Sequence, residues 1–511
     1  MKGRWSSELS GKAAGLGIVT CPSCGHKTSM PIPAGRCMAF YTCPSCKKLI
    51  NAKKSCKYIN SKPAPLPLMF HKPKGTTDYY PEEFARLSSI LNTFRCVAAR
   101  YGYREVESPA FEELKLLSEK EGEEIKEQIF VLEKRGEEAF GLRFDLTVPL
   151  ARMFIAIQKS TQKPVKWCYG TRMWRYERPQ KGRSREFYQF GVELFGSERP
   201  DADAEVINLA IDCLKALGLT SKEVFVNINN RKLLQGLLCD LVPESFLMEA
   251  IAIIDKREKI EEEEFFSLLK SVHVKDPSRL IELLDLADLT SISKLPMNPM
   301  ARKGFEELKA IMTIVDPDYC RISLSTVRGL SYYTSTVFEI FDVASKYRSV
   351  CGGGRYDNLI SLFGGEATPA VGFGMGMETL SLVLDDCKKT PPDTQAIDTY
   401  IAIVDDSVRD TARRIAQSLR TTKRVDMDLI GRSLSKQLAY ASSLGATEAV
   451  IVGPTDVSKG SVTVRNLLTG KESTVLITAI TNQAGASSRN QAAAAQRSVS
   501  AARRRHGSKK H

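Results

Sequence analysis

The chain has 511 residues, 43% of them hydrophobic and 26% charged, which is enough apolar material for more than one core and too much for a disordered polymer. Its net charge of +13 is uneven: the first 75 residues carry +12, the last 29 carry +7, and the 407 between them carry −6. The basic character therefore belongs to the ends, and a uniformly basic nucleic-acid binder is excluded. No apolar run reaches the roughly 18 residues of a membrane span, and the first residues lack the apolar stretch and small-residue cleavage site of a secretory signal, so a cytoplasmic protein is expected.

Taken in chain order, residues 1–60 are short, basic and rich in cysteine, holding six of the 13 cysteines. Cys21-x-x-Cys24 and Cys43-x-x-Cys46 are separated by 18 residues, the spacing of a zinc ribbon, in which thiolates replace a core too small to form alone. Structural Zn2+ on Cys21, Cys24, Cys43 and Cys46 is expected, with Cys37 and Cys56 leaving the ligand set open and a metal-free, vestigial segment as the alternative. The segment also resembles a small Cys-rich bacterial domain. The proline-rich stretch that follows reads as a linker over residues 61–73.

Apolar residues recur at helical spacing over 81–100, and an extended segment follows over 104–109. Two strands are predicted over 168–178 and 185–195, joined by a polar PQKGRS turn. Period 2 places Tyr188, Phe190, Val192 and Leu194 on a core face of the second strand, and Gln189, Gly191 and Glu193 on the opposite face. Residues 221–317 read as an inserted helical lobe. Strand-like sequence resumes at 337–343 and 370–376, with a helix beginning near 378. Strands separated by helices over 396–482 predict a separate α/β domain, and residues 483–511 read as a disordered basic tail.

Only five histidines are present, two of them in that tail, so a histidine-centred triad in the body is not expected. The chemistry lies in Arg, Glu, Gln, Tyr and Gly, which suit anions, an ammonium group and a nucleotide base. The segment YGTRMWRYERPQKGRSREFYQFGVELFG at 169–196 resembles motif 2 of class II aminoacyl-tRNA synthetases in the form found in histidyl-tRNA synthetases. VRGLSYYTSTVFEI at 327–340 and CGGGRYDNLI at 351–360 resemble the histidine-specific signature and the glycine-rich segment of that family, and GRSLSKQLAYASSLGATEAVIVG resembles its anticodon-binding domain. The resemblance implies an α+β fold: a catalytic domain over 74–390 built on an antiparallel sheet, with a helical insertion at 221–317, a C-terminal α/β anticodon-binding domain and the small N-terminal ribbon.

Carried over by position, the resemblance implies that Arg175 grips the α-phosphate of ATP and that Glu177 and Arg183 lie near the nucleotide. Asp145, Thr147, Gln189 and Glu193 correspond to the pocket for the amino-acid backbone and ammonium. Arg328 is implied near the substrate carboxylate, and Tyr333 and Tyr356 against the imidazole. Gly374 and Gly376 offer a flat surface beneath the nucleotide. The implied reaction is activation of L-histidine by ATP and Mg2+ to histidyl-adenylate and pyrophosphate, followed by transfer to tRNA(His), in a homodimer with motif 1 at the two-fold interface.

Two positions depart from the family. TTD stands at 76–78 where TRD is usual, and Thr379 stands where motif 3 carries an arginine, so either another cation serves there or ATP is held more weakly. The alternatives are a catalytically inactive regulatory subunit of ATP phosphoribosyltransferase and a non-catalytic tRNA- or histidine-binding paralogue.

Overall fold

In a computed structural model of the chain, the described residues are 16–21, 23–31, 40–47, 49–51, 70–118, 127–257, 260–327, 332–391 and 396–481. Cys37, Cys56, Arg328, most of the expected linker and the basic tail lie outside them. The chain forms two compact units, Met1–Pro73 and Lys74–His511.

The first unit contains two antiparallel hairpins, β1 (Leu16–Thr20) with β2 (Lys27–Pro31) and β3 (Phe40–Thr42) with β4 (Leu49–Asn51). Each CxxC sequence occupies the turn of one hairpin. The residue after the second cysteine adopts a left-handed conformation in both, Gly25 at φ 74° and Lys47 at φ 58°, a position that costs a side-chain-bearing residue more than glycine.

The second unit begins with α1 (Pro81–Arg100), which has Pro at its first turn and Glu82 and Glu83 near the positive end of its dipole. Leu87, Ile90, Leu91, Phe94 and Val97 form its buried face. Phe94 is fully buried, edge-on to Phe190 at 5.2 Å between ring centroids, so in this fold it is core. The extended segment after α1 pairs only as a two-residue strand, β5 (Arg104–Glu105). A separate two-stranded pair, β6 (Phe111–Glu113) and β7 (Phe140–Leu142), and α2 (Thr147–Ile157) precede the central hairpin.

That hairpin is β8 (Val165–Trp174) and β9 (Glu186–Phe195), paired over their full lengths. The first strand starts earlier than expected and stops at Trp174; one more cross-hairpin bond, from Arg175 N–H to the Arg185 carbonyl at 2.9 Å, follows it. After α3 (Pro200–Ala216) come β10 (Val224–Asn230), α4 (Arg231–Leu238), α5 (Leu247–Ile254), α6 (Glu262–Ser271), α7 (Pro277–Leu284), α8 (Leu289–Ser293) and α9 (Pro299–Met312). The chain then returns through β11 (Cys320–Ile322), β12 (Thr336–Asp342), β13 (Cys351–Arg355), β14 (Ala370–Gly376) and α10 (Met377–Asp386).

Among the described residues these strands build one eight-stranded sheet, ordered β11-β10-β12-β13-β14-β9-β8-β5. Its two outer pairs are parallel and the rest antiparallel. The expected helical lobe at 221–317 is therefore corrected: its first segment, Val224–Asn230, is a strand of the central sheet. Nor do its helices have a core of their own, since Leu233, Phe265, Leu280 and Leu308 share one cluster with Phe94, Phe190 and Val226.

The C-terminal region alternates β15 (Thr399–Ile403), α11 (Arg409–Leu419), β16 (Val425–Met427), α12 (Leu434–Ser443) and β17 (Glu448–Val452), then adds an antiparallel pair, β18 (Ser461–Asn466) and β19 (Glu472–Leu476). The five strands run β16-β15-β17-β18-β19, with the first three parallel. Among the described residues no helix is long and apolar enough to cross a membrane.

Candidate active site and cysteine cluster

The two faces of β9 do different work. Phe190, Val192 and Leu194 enter the main core, so Gln189, Gly191 and Glu193 face the other way, as period 2 requires. Glycines give their side chains room. A β-carbon on Gly374 would run into the Gln189 amide, one on Gly372 into the Glu193 carboxyl, and one on Gly191 into the Tyr169 ring. The sheet there is a thin floor on which polar side chains lie flat.

Above this floor is a cavity of about 220 Å³. Its wall brings together Asp145, Thr147, Arg175, Glu177, Arg183, Gln189, Tyr333, Tyr356, Gly374 and Gly376. Glu193 lies just behind the wall at 1% exposure, where its two carboxylate oxygens accept from the hydroxyls of Thr147, at 2.8 Å, and Tyr356. Burial pushes Glu193 up to about 8 against the opposing effect of those two donors, with the Asp145 charge adding to the rise.

Asp145 is also raised by burial, and Arg175 and the N–H groups of Val148 and Thr147 offset part of that rise. Its Oδ1 is buried with no hydrogen-bond partner among the described residues, an acceptor open to a ligand at the cavity wall. Gln189 donates to the Tyr169 hydroxyl at 3.1 Å. Tyr332, Tyr333 and Tyr356 form an aromatic wall, with Tyr332 4.8 Å from Tyr333 and 5.7 Å from Tyr356 between centroids.

The loop between β8 and β9 supplies the cationic side. Arg175 donates from Nε to the Phe144 carbonyl at 3.0 Å and lies 5.3 Å from the centre of the Phe187 ring. Arg183 pairs with Glu177. The turn closes through reciprocal backbone bonds between Gln180 and Arg183, with Gly182 at φ 74°. Two contacts tie it to α10: Ser184 N donates to Glu378 at 3.1 Å, and the Thr379 hydroxyl donates to the Gly182 carbonyl at 3.4 Å. Burial raises the Glu378 carboxyl, while the Ser184 donors lower it.

The glycine run at 352–354 divides by role. Gly352 lines the cavity, whereas Gly353 and Gly354 permit close packing: a β-carbon on Gly353 would meet the Gly372 carbonyl and the Phe338 ring, and one on Gly354 the Thr336 carbonyl and the Tyr333 ring. Next to them, Arg355 is buried in an ion pair with Asp203 and donates to the Ser197 carbonyl at 2.8 Å, pinning the end of β13 to the start of α3.

The wall residues that escaped the sequence reading include Tyr169, Ser184, Phe187, Tyr332, Glu378 and Arg348. Tyr169 was accessible in principle, since it pairs with Gly191 across the hairpin. Arg348 carries no local signal, because only the folding of the segment between β12 and β13 brings it to the wall.

In the first unit the four cysteine sulfurs lie within 4.8 Å of one another. Cys21–Cys46 and Cys24–Cys43 are each separated by 3.6 Å. Sulfurs bound tetrahedrally to zinc at about 2.3 Å stand about 3.8 Å apart, so the donor set fits such an ion. Burial acts to raise the Cys21 thiol, but the N–H groups of Ser23 and Cys24 and the neighbouring thiols outweigh it and lower it to about 6, toward the thiolate a metal requires.

Comparison with known proteins matches residues 75–380 to the family described as histidyl-tRNA synthetase and residues 398–483 to an anticodon binding domain. A histidine–tRNA ligase from Natronomonas pharaonis is 39% identical over 425 residues, covering 82% of this chain and 98% of the relative. The structure is similar to that of histidyl-tRNA synthetase from Nostoc sp. PCC 7120, with TM-score 0.70, 26% identity and coverage of 80% and 98% of the two chains. It is also similar to a Bacillus halodurans C protein described as an ATP phosphoribosyltransferase regulatory subunit/histidyl-tRNA synthetase, with TM-score 0.63, 27% identity and coverage of 74% and 97%.

Proposed function

The chain belongs to the histidyl-tRNA synthetase family, and we propose that the cavity over β9 and β14 is where its two substrates, ATP and L-histidine, meet. It is a histidine–tRNA ligase, which joins histidine to AMP with release of pyrophosphate and then passes the histidyl group to tRNA(His). The ligase relatives, one matched over 98% of its length, favour this reading over the regulatory-subunit alternative.

The assignment of roles rests above all on the Oδ1 of Asp145, which has no hydrogen-bond partner among the described residues, in a wall that also holds Arg175. An acceptor and a guanidinium in one small cavity suit an amino acid held by its ammonium beside a phosphate. Asp145, Thr147 and Gln189 take the amino-acid backbone. The imidazole lies against Tyr333 and Tyr356, and the Glu193 carboxyl behind Tyr356 orients that phenol. The Tyr356 hydroxyl already donates to Glu193, so its oxygen is left to accept from an imidazole N–H, and an aliphatic side chain would leave that acceptor unpaired.

Arg175 stabilises the charge that grows on the α-phosphate as the histidine carboxylate attacks and pyrophosphate leaves. Arg183 and Glu177 hold the nucleotide from the loop, with Gly374 and Gly376 beneath it. Arg328, placed by sequence resemblance alone, is assigned to the carboxylate. Glu177 and Glu378 offer carboxylate oxygens at the nucleotide side of the cavity, the donors a hard cation prefers. Bound there, Mg2+ would neutralise the phosphates.

Histidine-dependent exchange of pyrophosphate into ATP tests the reading. It is expected from the purified protein and is expected to fall by about 100-fold or more in Asp145→Asn, since a buried charged hydrogen bond is lost in the transition state. Folded protein without exchange would sink the assignment. The cysteine cluster is assigned to structural zinc, and the protein is assigned to a C2 dimer about α1 by family resemblance; elemental analysis and sedimentation test these two points.

A further inference from the structure

Three guanidiniums line the cavity: Arg175, Arg183 and Arg348. The first two are held in place, Arg175 by the Phe144 carbonyl and Arg183 by Glu177. Arg348 differs from both. It is exposed, sits in the segment between β12 and β13, and forms no hydrogen bond or ion pair with a described residue. A guanidinium at a cavity wall that bonds none of the described residues can pair with an anionic ligand without first breaking such a contact.

Its surroundings say which part of a ligand it meets. Gly182, Arg348 and Thr379 line both the main cavity and an adjoining one of about 370 Å³, whose other walls are Gln180, Lys181, Lys346 and Tyr347. Lys346 is already paired with Asp386 at 2.5 Å, and Lys181 lines only the adjoining pocket, 5.3 Å from the centre of the Tyr347 ring. Arg348 is therefore the cation that spans the two. The amino-acid end of the main cavity is the carboxyl and phenol cluster of Asp145, Glu193 and Tyr356; along β14, Gly372 pairs with Glu193 and Gly376 with Gln189, so Thr379, past Gly376, stands away from that cluster, at the end the proposed function leaves to the phosphates. At that end Thr379 contributes only a hydroxyl, already donated to the Gly182 carbonyl.

We infer that Arg348 is the binding residue for the outer, β and γ, phosphates of ATP, and for pyrophosphate once the α-phosphate bond has broken, supplying from the β12–β13 segment the charge that position 379 lacks. A guanidinium makes two parallel hydrogen bonds to phosphate oxygens, which lysine cannot reproduce. The inference rests on the cavity being the ATP site.

Pyrophosphate exchange with ATP and histidine varied separately tests it. In Arg348→Ala, KM for ATP is expected to rise about 10- to 100-fold while KM for histidine stays within about 2-fold; Arg348→Lys is expected to fall between. Adding Thr379→Arg to Arg348→Ala is expected to recover a large part of the ATP affinity. An unchanged KM for ATP in Arg348→Ala overturns the inference, as does an equal rise in both KM values with a lowered melting temperature, or a double variant no better than the single one. Wild-type protein lacking histidine-dependent exchange would instead defeat the proposed function, so the two failures are distinguishable.

Discussion

Glu193 shows how one buried residue couples folding, binding and pH. Its folded pKa of about 8 lies above the roughly 4.3 of an exposed glutamate. Between those values the folded protein holds a proton that the unfolded chain releases. The contribution to stability is therefore fully present below the unfolded pKa, declines as pH rises, and is lost above about 8. Replacement by glutamine is expected to flatten the fall in melting temperature between pH 6 and pH 9. A bound histidine, carrying an ammonium near Asp145 and Glu193, favours the ionised carboxyl. Binding near neutral pH is expected to release up to about one proton, read by calorimetry in two buffers of different ionisation enthalpy, and the release should shrink in Glu193→Gln. No buffer dependence in the wild type would contradict this.

The same scale shows what a linear reading finds. Gln189 and Glu193 were legible because strand alternation alone puts them opposite the core residues Phe190 and Val192. Asp145 and Tyr333 were legible only through resemblance. Arg348 was legible through neither, since an arginine in an exposed segment has no periodicity to mark its direction.

Among the elements, α1 was readable to its ends because proline fixes its start and its apolar residues keep a helical period over five turns. β10 was not. Its Val224, Val226 and Ile228 alternate properly, but the strand ends in Asn229 and Asn230, polar residues that suggest an exposed turn. Both are fully buried. Asn229 donates to the carbonyls of Leu324 and Thr326 at 3.0 and 2.9 Å, and Asn230 caps α4 through the N–H groups of Lys232 and Leu233. Buried amides are tolerated when every hydrogen bond is made, and partners about 95 residues away are invisible to local pattern.

β14 gives the sharpest element-level test. The atoms nearest the β-carbon of Gly374→Ala are the far end of the Gln189 side chain, which can move at the expense of its bond to Tyr169, so the variant is expected to fold with a near-normal melting temperature yet raise KM for histidine about 10-fold. By contrast, Asp203→Ala leaves Arg355, at 4% exposure, with only the more exposed Asp357 as a carboxylate partner among the described residues, and is expected to cost about 3 kcal/mol of stability, measured by denaturant unfolding. The contrast separates a floor that shapes the site from a pin that holds the sheet.

For the whole molecule, charge and chemistry are separated along the chain. The body of 407 residues is acidic at −6, while +12 lies in the first 75, largely within the cysteine-bearing unit. Since Lys74–His511 is a compact unit of its own, removing residues 1–70 is expected to leave histidine-dependent exchange unchanged. The loss of that basic surplus is expected to weaken tRNA binding and flatten its salt dependence. Equal tRNA affinity with and without the segment would show that its charge does not touch the nucleic acid.

The sequence by itself determined what is local or held in short strings: the periodic helices and strands, the paired CxxC turns, the motif 2 hairpin and, through its signatures, the family. Tertiary structure decided what depends on distant segments meeting. It recruited β10 into the central sheet, merged the inserted helices with the main core, set Glu193 against Tyr356 across 163 residues, and brought Arg348 to the wall that Thr379 leaves uncharged. The physical reason is that burial and electrostatics are properties of an assembled neighbourhood. A residue's own position in the chain fixes its period and its chemistry, but the dielectric around it and the partner opposite it exist only once the sheet has closed.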